Sequence, residues 1–339
     1  MSAAARLALA CLLALPVFTT AASLISTTTF LVEFLGQGRW RPLSALTREP
    51  TAHPLPVNDA ATGPVAIDLY VAPALRRPPG LVLVHGLSPD GKDDARLREA
   101  AALLARAGWA VAVPTVSGLT VLRLRPEDAA AVGASVRALR AAGYSRVALL
   151  GVSLGAGPAL LAAADPAAAG SVSAVLALGG YASAVELLRY TLTGAYAFGE
   201  LSGHAPVQEA AIAQFARANA ELVDAAGRRL IDNRDPAAFD RLVDALPGST
   251  RALLDALSPG RALGGLRAPL FLIHGRQDAA VPFTESLRLQ AAARAGGRPV
   301  RTAIVGAVGH VEAGRRAGGL ADLARLWATF FAFRRAAGG

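Results

Sequence analysis

The apolar positions of this chain come in short, unbroken runs. Leu81-Val82-Leu83-Val84, Trp109–Val113, Arg146–Leu150, Val172–Leu178, Pro269–Ile273 and Val300–Val305 are too short for helices. Apart from Arg146, Ser173, Arg301 and Thr302 they are continuous where a half-exposed strand would alternate, and so they predict strands of a parallel sheet with both faces covered. Residues 65–71 alternate apolar and polar side chains and predict an earlier, antiparallel strand. Between the runs lie stretches with helical periodicity, over about 94–107 and 126–142, stopped by Gly108 and Gly143. Strand alternating with helix predicts an α/β architecture: a mostly parallel, doubly wound sheet with helices on both faces.

The alternation fails in two places. From Gly179 to about Arg267 the pattern gives helices near 184–198, 207–226, 236–245 and 249–256, with no good strand. That is too long for a structureless connection, and it predicts a helical cap inserted over 181–266. Tyr181, Tyr190, Tyr196 and Phe198 give its first segment an apolar side that lines a pocket or simply packs. At the N-terminus, Leu7–Val32 carries no charge, with Arg6 before it. Leu7–Leu15 suits a signal-peptide core, ended by Pro16, with small residues at Thr20-Ala21-Ala22 for cleavage. The whole uncharged run is also long enough to span a bilayer. The expected organisation is therefore a signal peptide or membrane anchor (1–35), a Pro-rich linker (36–64), a first core segment (65–180), the insertion (181–266) and a second core segment (267–339). Either use of the N-terminus puts the folded part outside the cytoplasm, with the continued apolar character through Phe34-Leu35 leaning toward an uncleaved anchor.

Candidate chemistry centres on Gly151-Val152-Ser153-Leu154-Gly155, which joins the strand 146–150 to a helix running from Ala156 to Asp165-Pro166. A sharp strand-to-helix turn lifts the serine hydroxyl above the sheet, and glycines on both sides remove side chains that would collide. His85-Gly86-Leu87 follows the strand 81–84. A backbone N–H there, assigned to Leu87, and the N–H of Leu154 are placed to meet a developing oxyanion. His85 itself suits a structural role. Asp278 follows the strand 269–274, either as a catalytic acid or as a turn and N-cap residue. His310, in the loop after the strand 300–305, is the histidine placed as a general base. The order Ser153, Asp278, His310 is nucleophile, acid, base.

These motifs resemble the α/β-hydrolase superfamily from about Gly63 to the C-terminus. The resemblance rests on His85-Gly86, the turn around Ser153, Gly275-x-x-Asp278-x-x-Val281-Pro282 and Gly309-His310. Residues 86–94 look most like the esterase and dienelactone-hydrolase-like branches, although dienelactone hydrolases proper use cysteine where this chain has Ser153. The resemblance implies a serine hydrolase acting on a small-molecule acyl substrate, carboxylic esters first, through an acyl-enzyme and with no metal or organic cofactor. A peptidase, thioesterase or acyltransferase would use the same triad. A catalytically silent envelope binding protein of the same fold would be expected to have lost a triad member.

Composition narrows this only at the edges. Net charge is +9, and Lys92 is the lone lysine among 34 basic residues. The arginines are scattered and aromatic residues are 6% of the chain, which does not suit a nucleic-acid partner. The single cysteine, Cys11, lies in the N-terminal apolar run, so the folded part has no disulfide framework or cysteine metal site. Oligomeric state is not encoded in any of these features.

Overall fold

The computed structural model describes residues 21–57, 63–73, 78–312 and 319–338. An eight-stranded sheet runs in the order β1-β2-β4-β3-β5-β6-β9-β10. Its strands are β1 (Thr51–Pro54), β2 (Ile67–Val71), β3 (Gly80–Val84), β4 (Ala110–Pro114), β5 (Val147–Val152), β6 (Val172–Leu178), β9 (Leu270–Gly275) and β10 (Val300–Val305). β1 and β2 pair antiparallel at one edge, as do β2 and β4, and every other pairing is parallel. A separate hairpin, β7 (Ala195–Phe198) and β8 (Leu201–His204), lies outside this sheet.

Helices cover both faces: α1 (21–35), α2 (Ala95–Arg106) and α10 (Leu320–Ala337) on one, α3 (Asp128–Ala141), α4 (Ala156–Ala164) and α9 (Thr284–Ala295) on the other. Successive strand residues point to opposite faces. Leu81 and Leu83 accordingly join Trp109 and Phe330 in one core, while Val82 and Val84 join Val136 and Leu160 in the other. Asp94 caps α2, accepting from the N–H groups of Arg96 at 2.9 Å and Leu97 at 3.3 Å.

The N-terminal region departs from the expected organisation. β1 lies inside the expected linker 36–64 and extends the sheet by one strand. All four of its residues are exposed, so it was held by backbone pairing that apolar patterning does not reveal. The second half of the expected signal or anchor is α1, a helix docked on the body. Ser23, Thr27, Phe30, Leu31 and Glu33 are buried, and the Phe30 ring stacks on Phe330 with centroids 4.6 Å apart. Ser26 Oγ donates to the Ala107 carbonyl at 2.9 Å, and Trp327 Nε1 donates to Thr28 Oγ1 at 3.1 Å. Among the described residues no helix is long and apolar enough to cross a membrane. The stretch Leu7–Leu15, with Arg6, Cys11 and Pro16, lies outside the described residues. Phe30→Ala is expected to cost about 3 kcal/mol of stability, as large-to-small changes in a packed core do, and urea unfolding will measure it. A chain starting at Arg39 should lose more, because it lacks all of α1.

The insertion contains α5 (Ala184–Thr193), α6 (Glu209–Ala218), α7 (Pro236–Asp244) and α8 (Gly248–Ala256), together with the hairpin. A helix expected to reach residue 198 ends at Thr193, because Gly194 takes φ 72° and its N–H bonds back to the Tyr190 carbonyl. That left-handed conformation suits glycine and terminates helices. The chain beyond it, alternating Tyr196 and Phe198 with alanines, forms β7.

Candidate active site

Ser153 stands where β5 gives way to α4, and its backbone φ is 54°. A non-glycine residue in this region is strained and persists only where the surroundings over-determine it. The flanking glycines show how. A Cβ on Gly151 would lie 2.5 Å from Ala156 Cα, and one on Gly155 would strike the His85 carbonyl oxygen. The tight turn from β5 into α4 therefore requires Gly151, and the close approach of α4 to the β3 loop requires Gly155.

His310 comes from the loop after β10, and Asp278 from the loop after β9. His310 Nε2 lies 2.6 Å from Ser153 Oγ, and His310 Nδ1 lies 2.6 Å from Asp278 Oδ2. A carboxylate accepts only, so Nδ1 carries the proton and Nε2 is left to accept from the serine hydroxyl. Asp278 Oδ1 accepts from the N–H groups of Ala280 at 2.8 Å and Val281 at 2.9 Å. The acid thus fills the turn role as well, with one oxygen given to each task. Glu312, the other carboxylate near the histidine, is engaged elsewhere: its Oε2 accepts from Val311 N–H at 3.4 Å.

Leu87 and Leu154 both border the cavity above Ser153. Among the described residues nothing accepts a hydrogen bond from the Leu87 N–H, which leaves it for a bound oxygen. His85 is structural: Nδ1 donates to the Gly86 carbonyl at 2.7 Å and Nε2 accepts from Val116 N–H at 3.0 Å. Burial pushes its pKa below the ordinary histidine value, so the ring stays neutral and fixes the loop that presents Leu87.

The insertion grips the loop of the acid. The Ala279 carbonyl accepts from Tyr190 Oη at 3.2 Å and from Gln208 Nε2 at 2.9 Å. Of the expected aromatic lining only Tyr190 borders the cavity. Tyr181 is buried and donates to the Leu257 carbonyl at 3.0 Å, while Tyr196 packs edge-on between Tyr190 and Phe283.

A parallel sheet of this order carries a serine on the turn after β5, an acid after β9 and a histidine after β10. No protein-family model and no curated protein matches the sequence. Solved structures do match. The acylaminoacyl peptidase of Pyrococcus horikoshii superposes with a TM-score of 0.51 and 16% identity, over 79% of this chain and 39% of that one. A puromycin-hydrolyzing peptidase from Mycobacterium tuberculosis gives 0.54 and 21%, over 86% and 40%. The dipeptidyl peptidase 4 of Porphyromonas gingivalis gives 0.53 and 13%, over 85% and 36%. This chain has the α/β-hydrolase fold. It spans about two fifths of the length of these structures.

One residue of this α/β-hydrolase site escaped the sequence reading. His274, on β9 and fully buried, sits behind the acid. Its Nε2 donates to the Val281 carbonyl at 3.0 Å and lies 3.2 Å from Asp278 Oδ2, and its Nδ1 meets Ser286 Oγ at 2.7 Å. The spacing of four between His274 and Asp278 was visible, but nothing in it says that the strand turns so that the two side chains meet. Burial raises the pKa of Asp278. The hydrogen bonds from His274 and His310 outweigh that and hold the carboxyl down at about 2. Its folded pKa lies below the unfolded value of about 3.9. The ionised group therefore contributes stability that is present above pH 4 and lost as pH falls toward 2. The stability difference between wild type and Asp278→Asn should shrink over that window in urea titrations.

His274→Phe is expected to lower kcat/KM about tenfold. It removes one donor from Asp278 and strands the buried Ser286 hydroxyl, together of order 1–3 kcal/mol. His274→Asn, which keeps a donor, should recover part of the loss. Steady-state kinetics across pH 5–9 will show whether the acid limb moves as well.

Proposed function

We propose that this chain is a serine hydrolase that cleaves carboxylic esters through an acyl-enzyme. The observation that carries the reading is the unbroken relay Asp278–His310–Ser153, with both links at 2.6 Å. In the first half-reaction the Ser153 proton moves to His310 Nε2 as Oγ bonds to the substrate carbonyl carbon. The carbonyl oxygen becomes an oxyanion beside the N–H groups of Leu87 and Leu154. As the tetrahedral adduct collapses, the bond to the alkoxy group breaks and His310 returns the proton to the departing alcohol. In the second half-reaction water gives its proton to His310, attacks the acyl carbon, and releases the acid with Ser153 reprotonated. Ionised Asp278 keeps Nδ1 protonated throughout and balances the imidazolium charge.

One feature supports esters. The walls near Ser153 are aliphatic, with Leu87, Leu154, Leu187 and Leu188 bordering the cavity. Such walls bury an acyl group well and offer a peptide backbone few partners, whereas peptide recognition depends on main-chain hydrogen bonds. A peptidase is the second reading, favoured by the peptidases that share the fold. A fluorophosphonate probe should label the wild-type protein. A panel of aryl esters and aminoacyl and dipeptidyl anilides should then show kcat/KM at least a hundredfold higher on esters. Faster turnover of the anilides would select the peptidase, and absence of both labelling and turnover would refute the hydrolase.

We further propose that the protein is exported. Arg6 and the apolar stretch Leu7–Leu15 support a signal peptide, and the docking of α1 favours cleavage near Thr20-Ala21-Ala22 over an anchor running to Val32. N-terminal sequencing of the native protein should begin near Ala22 or Ser23. Intact protein in the membrane fraction would restore the anchor, and intact soluble protein in the cytoplasm would rule out export.

A further inference from the structure

The cavity at Ser153 is larger than an ester-cleaving site needs. It encloses about 1300 Å³, beyond the 300–1,000 Å³ of ordinary small-ligand pockets. It has two lobes. One lies under the insertion, bordered by Leu188 and Leu253. The other passes to the α1 face of the sheet. Val152, the residue before the nucleophile, shares that face with Leu150, and both border this second lobe with Leu176 and Ile273. Phe330 of α10 and Phe30 of α1 close it from outside. Leu150, Leu176, Ile273, Phe30 and Phe330 belong to the same core cluster, where close packing is the rule and large voids are rare. At strand rise, Leu150 lies about 10 Å back from Ser153, so the lining of this lobe follows β5 inward from the nucleophile. Exposed Arg41 and Glu49 border the cavity too, so it reaches solvent again beyond the end of α1.

An apolar passage that starts beside the nucleophile, is lined by core residues and ends at a charged rim suits one kind of ligand. We propose that this lobe holds the unbranched acyl chain of a long-chain ester, with Phe30 and Leu31 of α1 as its outer wall. The inference rests on the serine-hydrolase reading and narrows its substrate class. It also gives α1 a purpose beyond stability: without that helix the passage would be an open groove on the flank of α2 and α10.

The test measures hydrolysis of aryl esters from acetyl to hexadecanoyl by the full chain. The ratio of kcat/KM for long over short chains should rise by up to about fourfold per added methylene until the lobe is filled. Leu176→Phe, which narrows the passage, should lower the hexadecanoyl-to-acetyl ratio at least tenfold. A ratio that falls with chain length in the wild type, or that is the same in the variant, would overturn the inference. A second measurement separates this result from failure of the catalytic reading. The Ser153→Ala protein should bind hexadecanoate, followed by displacement of a fluorescent fatty acid, and should bind it at least tenfold more weakly when Leu176→Phe is added. No displacement by hexadecanoate would remove the lobe as a chain site even if fluorophosphonate labelling of the wild type succeeds. Displacement without any labelling of the wild type would support the chain site and remove the hydrolase reading instead.

Discussion

Ser153→Ala is expected to abolish fluorophosphonate labelling and to lower kcat on esters by roughly 10⁴–10⁶-fold, the loss seen when a triad nucleophile is removed. The size follows from the geometry. Ser153 Oγ is the oxygen 2.6 Å from His310 Nε2, held above the sheet by a backbone at φ 54°. Among the described residues no other serine or threonine hydroxyl is hydrogen-bonded to that nitrogen. Stability should change by no more than about 1 kcal/mol, because alanine keeps the same strained backbone and only one hydrogen bond is lost. The pairing of an inactive, unlabelled protein with an unchanged urea midpoint is the informative result. Residual labelling would mean that another hydroxyl is the nucleophile, and collapse of the midpoint would mean that the elbow is structural first.

Asp278→Asn should be the next most damaging change, lowering kcat about 10⁴-fold with KM little altered. The carboxylate fixes the imidazole tautomer: Oδ2 accepts from Nδ1 at 2.6 Å, so Nε2 faces Ser153 without a proton. An asparagine amide can turn its N–H₂ toward Nδ1. The ring then carries its proton on Nε2 and cannot take the serine's. The rate of fluorophosphonate labelling should fall in parallel with kcat, since both need the activated hydroxyl. His274 adds a check on this account. It already donates to Val281 and lies against Asp278 Oδ2, so it has no spare geometry to substitute for the lost acceptor. If Asp278→Asn kept more than a tenth of the wild-type rate, the acid would be acting as a turn residue and not as the partner of His310.

Much of this site was legible before any fold was known, for a physical reason. The turn at Ser153 is local: strand, glycine, serine, glycine and helix are consecutive, and the steric demand at Gly151 follows from that adjacency, while the demand at Gly155 comes from the β3 loop packed against it. Asp278 and His310 were found by their places after strand-like runs, since a parallel sheet gathers the ends of its strands at one edge. His274 was not found. It sits among the apolar residues of β9, and its bond to Asp278 depends on how the loop folds back.

The N-terminus shows the same divide most clearly. The uncharged run Leu7–Val32 predicted a segment that is cleaved or leaves water for lipid; its described part instead docks one face on the protein body, with Leu24, Ile25 and Val32 still exposed. Whether a segment leaves water for lipid or for a protein core depends on the surface available to it. For α1 that surface is made by Trp109, Trp327 and Phe330, far away in sequence. Likewise β1 has no apolar side chain turned inward, and only the exposed edge of β2 makes it a strand. The sequence by itself determined which residues are buried in the central strands, where the sharp turn falls and in what order the reactive groups follow. Tertiary structure alone decided what α1 packs on, that His274 also meets the acid and where the space beside Ser153 leads, because each depends on contacts between residues the chain order does not relate.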